Sequence, residues 1–197
     1  MLIETFHTNP NLKPLEQLIL INQIRRTIIC TDQIDELSTK TPIWQFIVDF
    51  FTEISSSPTG INYYMTLEMV WILTNICQAS DLRVLFHHPI VVQKLSELLE
   101  LNNPEIIYEV LLSFGNITSE PYLKPVLEIR VVLRCCDLIN TTEDILCSSA
   151  RVINNFARLK LIDAYFNPEV GRAITAILAG TNRAALGEAY WCLCNMT

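Results

Sequence analysis

An asparagine recurs at nearly equal intervals along this chain of 197 residues and constrains its fold more than any other feature. Four similar segments carry it: LEMVWILTNIC (67–77), YEVLLSFGNIT (108–118), CSSARVINNFA (147–157) and GEAYWCLCNMT (187–197). The steps between Asn75, Asn116, Asn155 and Asn195 are 41, 39 and 40 residues. Such a period indicates a repeat protein, in which each unit buries its apolar face against its neighbours.

A second segment recurs between the first ones, as IWQFIVDFF (43–51), VVQKLSELL (91–99), VVLRCCDLI (131–139) and RAITAILAG (172–180). Both kinds have apolar residues at helical spacing, and joints rich in Pro, Gly, Asn and Thr separate them. Two or three helices in about 40 residues is the pattern of HEAT and armadillo repeats. We therefore expect an all-α solenoid of about five repeats, formed by stacking of the units.

The same pattern predicts one domain over residues 1–197. Its approximate repeats are 11–40, 41–80, 81–121, 122–160 and 161–197, after a flexible N-terminus of residues 1–10. Residues 14–29 are expected to form the helices of an atypical first unit, and a longer loop around 55–64 is expected to absorb extra residues. Because the last segment stops inside a recurring helix, we expect the array to continue and the apolar end face to favour self-association.

Charge and composition exclude several functions. The chain has 14 Lys and Arg against 21 Asp and Glu, a net charge of −7, whereas nucleic-acid binding needs a basic face. Half of the residues are hydrophobic, which argues against disorder. The N-terminus lacks the pattern of a signal peptide, and no apolar run is long enough for a membrane span. We expect neither nucleic acid nor membrane as a partner.

The cysteines and histidines do not predict a metal site or an enzyme. The seven cysteines are odd in number, contain no CxxC and lie mostly in apolar runs, which favours buried free thiols. His7 stands alone, and His87 with His88 has no acidic or Cys partner at metal spacing. No phosphate loop, nucleophile elbow or paired carboxylates occur. We expect no catalytic activity, no cofactor and no metal.

The pairs Trp71 with Asn75 and Trp191 with Asn195 are four residues apart, so each pair shares one helix face. An Asn amide can both donate to and accept from a peptide backbone, and an indole face attracts Lys and Arg side chains. Two structural alternatives remain open, since Trp is often a core residue and the asparagines could join neighbouring repeats. The recurrence of Asn in helix interiors, where its propensity is poor, favours a binding groove.

The segments LEMVWILTNI, LLSFGNIT and AYWCLCN resemble the third armadillo helices of importin-α (karyopherin-α). Members of this family recognise nuclear localisation signals and carry cargo into the nucleus with importin-β. The resemblance covers nearly the whole chain from about residue 11. It implies a right-handed superhelix with a concave groove for Lys/Arg-rich peptides, and a location in cytoplasm and nucleus.

The resemblance also implies roles for single residues. Trp71 with Asn75 matches a complete Trp–Asn pair, whereas Leu112 and Arg151 stand where the family has Trp. Glu120 takes the place of the acidic residue that pairs with the signal's critical lysine. With Glu109, whose charge would attract basic ligands, the candidate peptide-binding residues are Trp71, Asn75, Glu109, Leu112, Asn116, Glu120, Arg151, Asn155, Arg158, Glu188, Trp191 and Asn195.

Two departures keep another function open. The family's basic importin-β-binding segment has no counterpart, since Lys13 is the only basic side chain before Leu15, and so importin-β as a partner stays undecided. A cation at Arg151 repels cationic ligands, unless its side chain turns aside or pairs with an acidic neighbour. Both features favour the alternative of an armadillo protein–protein scaffold without a transport function, and a degenerate paralogue that binds nothing is a third possibility.

Overall fold

The computed structural model describes residues 2–9, 11–29, 42–79, 81–162 and 167–197. Within these residues the chain forms eleven α-helices and one 3-10 helix, Pro121–Val126. The α-helices are α1 Leu2–Thr8, α2 Pro14–Ile29, α3 Ile43–Glu53, α4 Ile61–Ala79, α5 Arg83–His87, α6 Pro89–Leu99, α7 Pro104–Ile117, α8 Ile129–Leu138, α9 Glu143–Arg158, α10 Pro168–Leu178 and α11 Arg183–Met196.

The helices form two layers. The inner helices, α2, α4, α7, α9 and α11, pack side by side in chain order, and the outer helices, α3, α6, α8 and α10, do the same. The segments with the recurring asparagine are inner helices, and the second recurring segment supplies the outer ones. The predicted all-α repeat architecture is therefore confirmed.

One continuous core lies between the layers. Phe46 and Phe51 of α3, Phe114 of α7 and Phe156 of α9 are almost completely buried in it. Each buried aromatic side chain of this size contributes on the order of 1.5 to 3 kcal/mol through the area it removes from water. Because every unit shares this core with its neighbours, no unit buries its apolar face alone.

Several helices begin where the sequence joints provide a polar cap. The Asn103 side chain accepts from the backbone N–H groups of Glu105 and Ile106, both at 3.1 Å, at the start of α7. Asn182 accepts from the N–H of Ala185 at 3.0 Å at the start of α11. Such caps satisfy N–H groups that have no partner within the helix.

Among the described residues, two units contain a short third helix that precedes the outer one. Helix α5 packs on the following 3-10 helix, with Leu85 and Leu123 fully buried. The backbone N–H of Leu82 donates to the Tyr122 hydroxyl at 3.1 Å and joins the two short helices. These units therefore have three helices each, and the 40-residue period is typical of units with two or three.

The N-terminal region contains a helix that the sequence pattern did not predict. Residues 2–8 form α1, in which Ile3 is buried and the Phe6 ring packs edge-on against Phe46 at 4.9 Å. Residues 14–29 form one helix rather than several, and residues 61–64 of the expected loop form the first turn of α4.

The cysteines within the described ranges are free thiols. Cys77, Cys135 and Cys192 are buried, whereas Cys194 is exposed, and Cys30 lies outside the described residues. Burial raises the pKa of Cys192 to about 12, so this thiol stays protonated at neutral pH. Among the described helices, none is both long enough and apolar enough to span a membrane.

Candidate functional site

The recurring asparagines and the residues four positions before them lie on successive inner helices. We call these eight residues the ladder face: Trp71 and Asn75 on α4, Leu112 and Asn116 on α7, Arg151 and Asn155 on α9, and Trp191 and Asn195 on α11. Three residues before the first member of each pair, three helices carry a glutamate, Glu68, Glu109 and Glu188, and the fourth carries Ser148. The ladder face therefore has an acidic row beside it.

The two central asparagines join neighbouring repeats. Asn116 Nδ2 donates to the backbone carbonyl of Thr74 on α4 at 3.1 Å. Asn155 Nδ2 donates to the carbonyl of Gly115 at 3.1 Å and to the Thr118 hydroxyl at 3.0 Å. These amide groups stabilise the stack of inner helices, which was the structural alternative left open by the sequence.

The outer two asparagines bond differently. Asn75 Nδ2 donates to the carbonyl of Trp71 in its own helix at 2.8 Å, and Asn195 Nδ2 donates to Asn154 Oδ1 at 2.9 Å. The Oδ1 atoms of Asn75, Asn155 and Asn195 accept no hydrogen bond from any described residue. Each of these amides therefore keeps an acceptor for a ligand N–H.

A cation from the preceding inner helix already lies over the Trp71 ring. The Arg25 guanidinium carbon lies 5.1 Å from the centre of the half-buried Trp71 ring, and Arg25 forms an ion pair with Glu68. Asn22 Nδ2 donates to the other Glu68 oxygen at 3.1 Å. The distance from guanidinium to ring is within the range of a cation–π contact.

Glu109 lies in the same region with unsatisfied hydrogen-bonding capacity. Its Oε2 is buried and has no hydrogen-bond partner among the described residues. Burial raises the pKa of the Glu109 carboxyl, and the positive charge of Arg25 opposes this effect without cancelling it. Glu109, Glu68, Trp71, Arg25 and Tyr108 line an open cleft of about 350 Å³ in which carboxylates outnumber cations.

The middle of the ladder face lacks aromatic residues. Leu112 is half-buried, while Arg151 is exposed and its side chain extends back across α7. A Cβ on Gly115 would lie 3.4 Å from Arg151 Nε, and Arg151 Nη2 is 3.5 Å from Asn116 Oδ1. Arg151 therefore lies over α7 rather than turning away from the ladder face.

Arg158 and Glu120 lie beside the ladder face near the end of α7. Arg158 Nη2 donates to the backbone carbonyls of Thr118 at 3.1 Å and Ser119 at 2.9 Å. Thr118 and Ser119 directly follow the last residue of α7, so Arg158 caps the C-terminal end of this helix from the next repeat. The half-buried Glu120 side chain makes no hydrogen bond or ion pair with a described residue.

The last inner helix presents an open aromatic surface. Trp191 is 66% exposed, and no described cation lies over its ring. Glu188 accepts a hydrogen bond from Asn154 Nδ2 at 2.7 Å, as Glu68 does from Asn22, but no described cation forms an ion pair with Glu188. Lys160 Nζ donates to the Asn195 carbonyl at the C-terminal end of α11.

Sequence reasoning missed Arg25, Glu68 and Asn154. The spacing Glu-x-x-Trp-x-x-x-Asn occurs at both Glu68 and Glu188 and could have revealed Glu68. No sequence signal marks Arg25 or Asn154, because both act across helices. In the part of the chain that the structure describes, no three His, Cys, Asp or Glu side chains cluster as metal ligands.

Solved structures of designed armadillo-repeat proteins are similar to this chain in fold. A designed armadillo-repeat protein in complex with the peptide (KR)4 is 16% identical, with a TM-score of 0.74 over 98% of this chain and 81% of that one. Another designed armadillo-repeat protein is 13% identical, with a TM-score of 0.65 over the whole of both chains. A computationally designed armadillo-repeat protein for modular peptide recognition is 15% identical, with a TM-score of 0.70 over 95% and 79%.

No family model and no curated protein sequence matches the chain. The structural likeness extends over nearly its whole length and agrees with the two-layer stack and the 40-residue period. The chain therefore has the fold of an armadillo-repeat solenoid.

Proposed function

We propose that the ladder face binds an extended peptide rich in Lys and Arg. One observation carries this proposal: the asparagines lie on successive inner helices, and Asn75, Asn155 and Asn195 keep Oδ1 acceptors that no described residue uses. Neighbouring helices pack about 8 to 10 Å apart, and an extended peptide advances about 3.3 Å per residue. Each repeat therefore matches two to three peptide residues.

The charges near the ladder face support a basic ligand. Glu68, Glu109 and Glu188 form a row along it, and Glu120 is free of ion pairs with described residues. Together with the net charge of −7, these carboxylates would attract a cationic peptide over long range. The designed protein of similar fold in complex with (KR)4 supports the choice of a basic probe.

The finer proposal is a nuclear import adaptor that binds nuclear localisation signals, has no catalytic role and moves between cytoplasm and nucleus. It rests on the resemblance of the inner-helix sequences around Asn75, Asn116 and Asn195 to importin-α.

A second candidate is a scaffold that binds partner proteins without transport. The exposed guanidinium of Arg151 over α7 favours it, because a cation at the centre of the ladder face repels a uniformly basic peptide. A partner with an acidic residue at this point would be preferred.

Fluorescence anisotropy with labelled (KR)4 tests the basic-peptide proposal. We expect binding that weakens as salt rises, and no binding of an acidic octapeptide. Glu120→Gln should weaken binding up to about fivefold, the effect of an exposed ion pair. Glu53→Gln on outer helix α3 is the charge-matched control and should have less effect. Absence of (KR)4 binding at low salt would refute the proposal.

Import in permeabilised cells separates the two candidates. If the protein is an adaptor, its addition should increase nuclear accumulation of a fluorescent cargo carrying a basic localisation signal. A scaffold should bind partners without changing accumulation. Arg151→Ala should strengthen (KR)4 binding in either case and weaken binding of a peptide with a central glutamate.

A further inference from the structure

The contacts of Arg25 resemble those expected of a ligand. Its guanidinium stacks on Trp71 at 5.1 Å and pairs with Glu68, so it uses both the aromatic face and the carboxylate that a basic side chain would need. Arg25 lies on α2, and its side chain is 25% exposed. In the free protein, Arg25 therefore already occupies the face of the Trp71 ring.

The same cleft contains more negative charge than Arg25 neutralises. Glu109 has a buried oxygen without a partner among the described residues, and Glu105 also lines the cleft, where it accepts a hydrogen bond from Tyr63. A buried carboxylate oxygen without a donor is costly, and a second cation would relieve that cost. The cleft can therefore accept a Lys or Arg side chain from outside.

The Trp191 region provides an internal comparison. Its acidic residue, Glu188, is bonded to the neutral Asn154, and its indole is exposed. The two regions share the spacing of Glu, Trp and Asn but differ in whether a cation of the protein itself covers the indole. Their affinities for an external cation should therefore differ.

We propose that Arg25 occupies the subsite at Trp71 that a cationic side chain of the bound peptide takes, so that peptide binding displaces Arg25 from the Trp71 ring into solvent. This inference rests on the proposed binding of basic peptides and names the residue that limits it. The Trp191 subsite is open from the start, and Arg25 sets the affinity of the Trp71 subsite alone.

The test measures binding of labelled (KR)4 by wild type, Arg25→Gln and Arg26→Gln. Arg26 is the next residue of α2, is exposed and forms no ion pair with a described residue, so both variants change net charge equally. Arg25→Gln should bind about three- to thirtyfold more tightly than Arg26→Gln, the factor expected from a lost cation–π competitor. Circular dichroism checks that both variants fold, and Arg25→Met replaces Arg25→Gln if that variant does not.

A double-mutant cycle tests whether Arg25→Gln acts through the Trp71 ring or through a general change in the structure. With Trp71→Ala, the change Arg25→Gln should no longer improve binding, because the indole ring for which Arg25 and the peptide compete is absent. Equal affinities of Arg25→Gln and Arg26→Gln would overturn the role of Arg25 while leaving the proposed function intact. Failure of every variant to bind (KR)4 would overturn both.

Discussion

The spacing Glu-x-x-Trp-x-x-x-Asn occurs on both α4 and α11, yet the two copies have different surroundings. In the first, Arg25 covers Trp71 and pairs with Glu68. In the second, Trp191 is 66% exposed, and no described cation covers its ring or pairs with Glu188. Identical spacing on one helix therefore does not define a subsite, because the adjacent inner helix supplies some of its contacts.

The asparagines teach the same lesson. Asn75 bonds its own helix, whereas Asn116 and Asn155 bond the helix before them. Repeat position alone does not separate a residue that holds the stack together from one that is available to a ligand. The following experiments test these differences, beginning with a substitution in the core that both regions share.

Phe114→Ala should disrupt both regions together. Phe114 is fully buried on α7, in the core shared by the layers, so its truncation should lower the free energy of unfolding by about 3 to 5 kcal/mol. Urea denaturation measures this loss. Tyr190→Ala, at a side chain that is 60% exposed, should change it by less than about 0.5 kcal/mol. Similar midpoints for the two variants would contradict the assignment of the core.

Asn116→Ala should cost about 1 kcal/mol of unfolding free energy and Asn155→Ala about 1 to 2 kcal/mol, because they remove one and two hydrogen bonds between repeats. Asn75→Ala should cost less or even stabilise, since its bond lies within α4 and Ala has the higher helix propensity. Thermal or urea unfolding of the three variants measures the difference. An equal cost at Asn75 and Asn155 would show that the division between them is wrong.

The pH dependence of stability should report the buried Glu109. Its folded-state pKa is raised above the ordinary value of 4.5, so the folded protein binds this proton more tightly than the unfolded chain. The ionised carboxyl therefore opposes folding above the folded-state pKa, and its contribution improves as pH falls towards 4.5. Glu109→Gln should stabilise the protein at pH 7 and flatten this part of the profile.

Glu97 is the matched contrast on outer helix α6. Hydrogen bonds from Ser56 and Lys94 lower the pKa of its carboxyl, so its stabilising contribution is present above the unfolded pKa and disappears as pH falls through the folded one. Glu97→Gln should therefore destabilise at pH 7. Changes of the same sign in the Glu97 and Glu109 variants would be inconsistent with these environments.

Trp191→Phe should have the smallest effect on stability, within about 0.5 kcal/mol, because the side chain is mostly exposed. Its effect on fluorescence should be large, since it removes the tryptophan most accessible to acrylamide. Trp71→Phe should instead leave the readily quenched fraction in place, because Arg25 covers that ring. The opposite order of quenching would mean that the Trp71 ring, rather than the Trp191 ring, is the more accessible one.

Much of the fold was predictable from particular residues. The 40-residue spacing of Asn116, Asn155 and Asn195 predicted the inner helices, and the second recurring segment predicted the outer ones. The short helix α5 and the structured α1 were not predicted, because seven or fewer residues give too little periodicity to recognise. Burial against the neighbouring helices decides such short elements.

The candidate site was predictable only in part. The sequence placed Trp71, Trp191 and the four asparagines on one series of helices, and the structure brings them together as the ladder face. It did not identify Arg25 as the cation over Trp71, or Arg158 as the cap of α7. Both are contacts between helices, whose partners depend on rotation and axial position as well as on repeat number.

The sequence by itself determined the repeat, its two kinds of recurring helix and the residue types at the recurring positions, because periodic burial must appear in the chain as a periodic pattern. Only the tertiary structure decided which indole is covered and which asparagines hold the stack. The equivalent glutamates show why. Glu68 bonds Asn22 across 46 residues and Glu188 bonds Asn154 across 34, so no fixed offset identifies the partner that packing brings beside each residue.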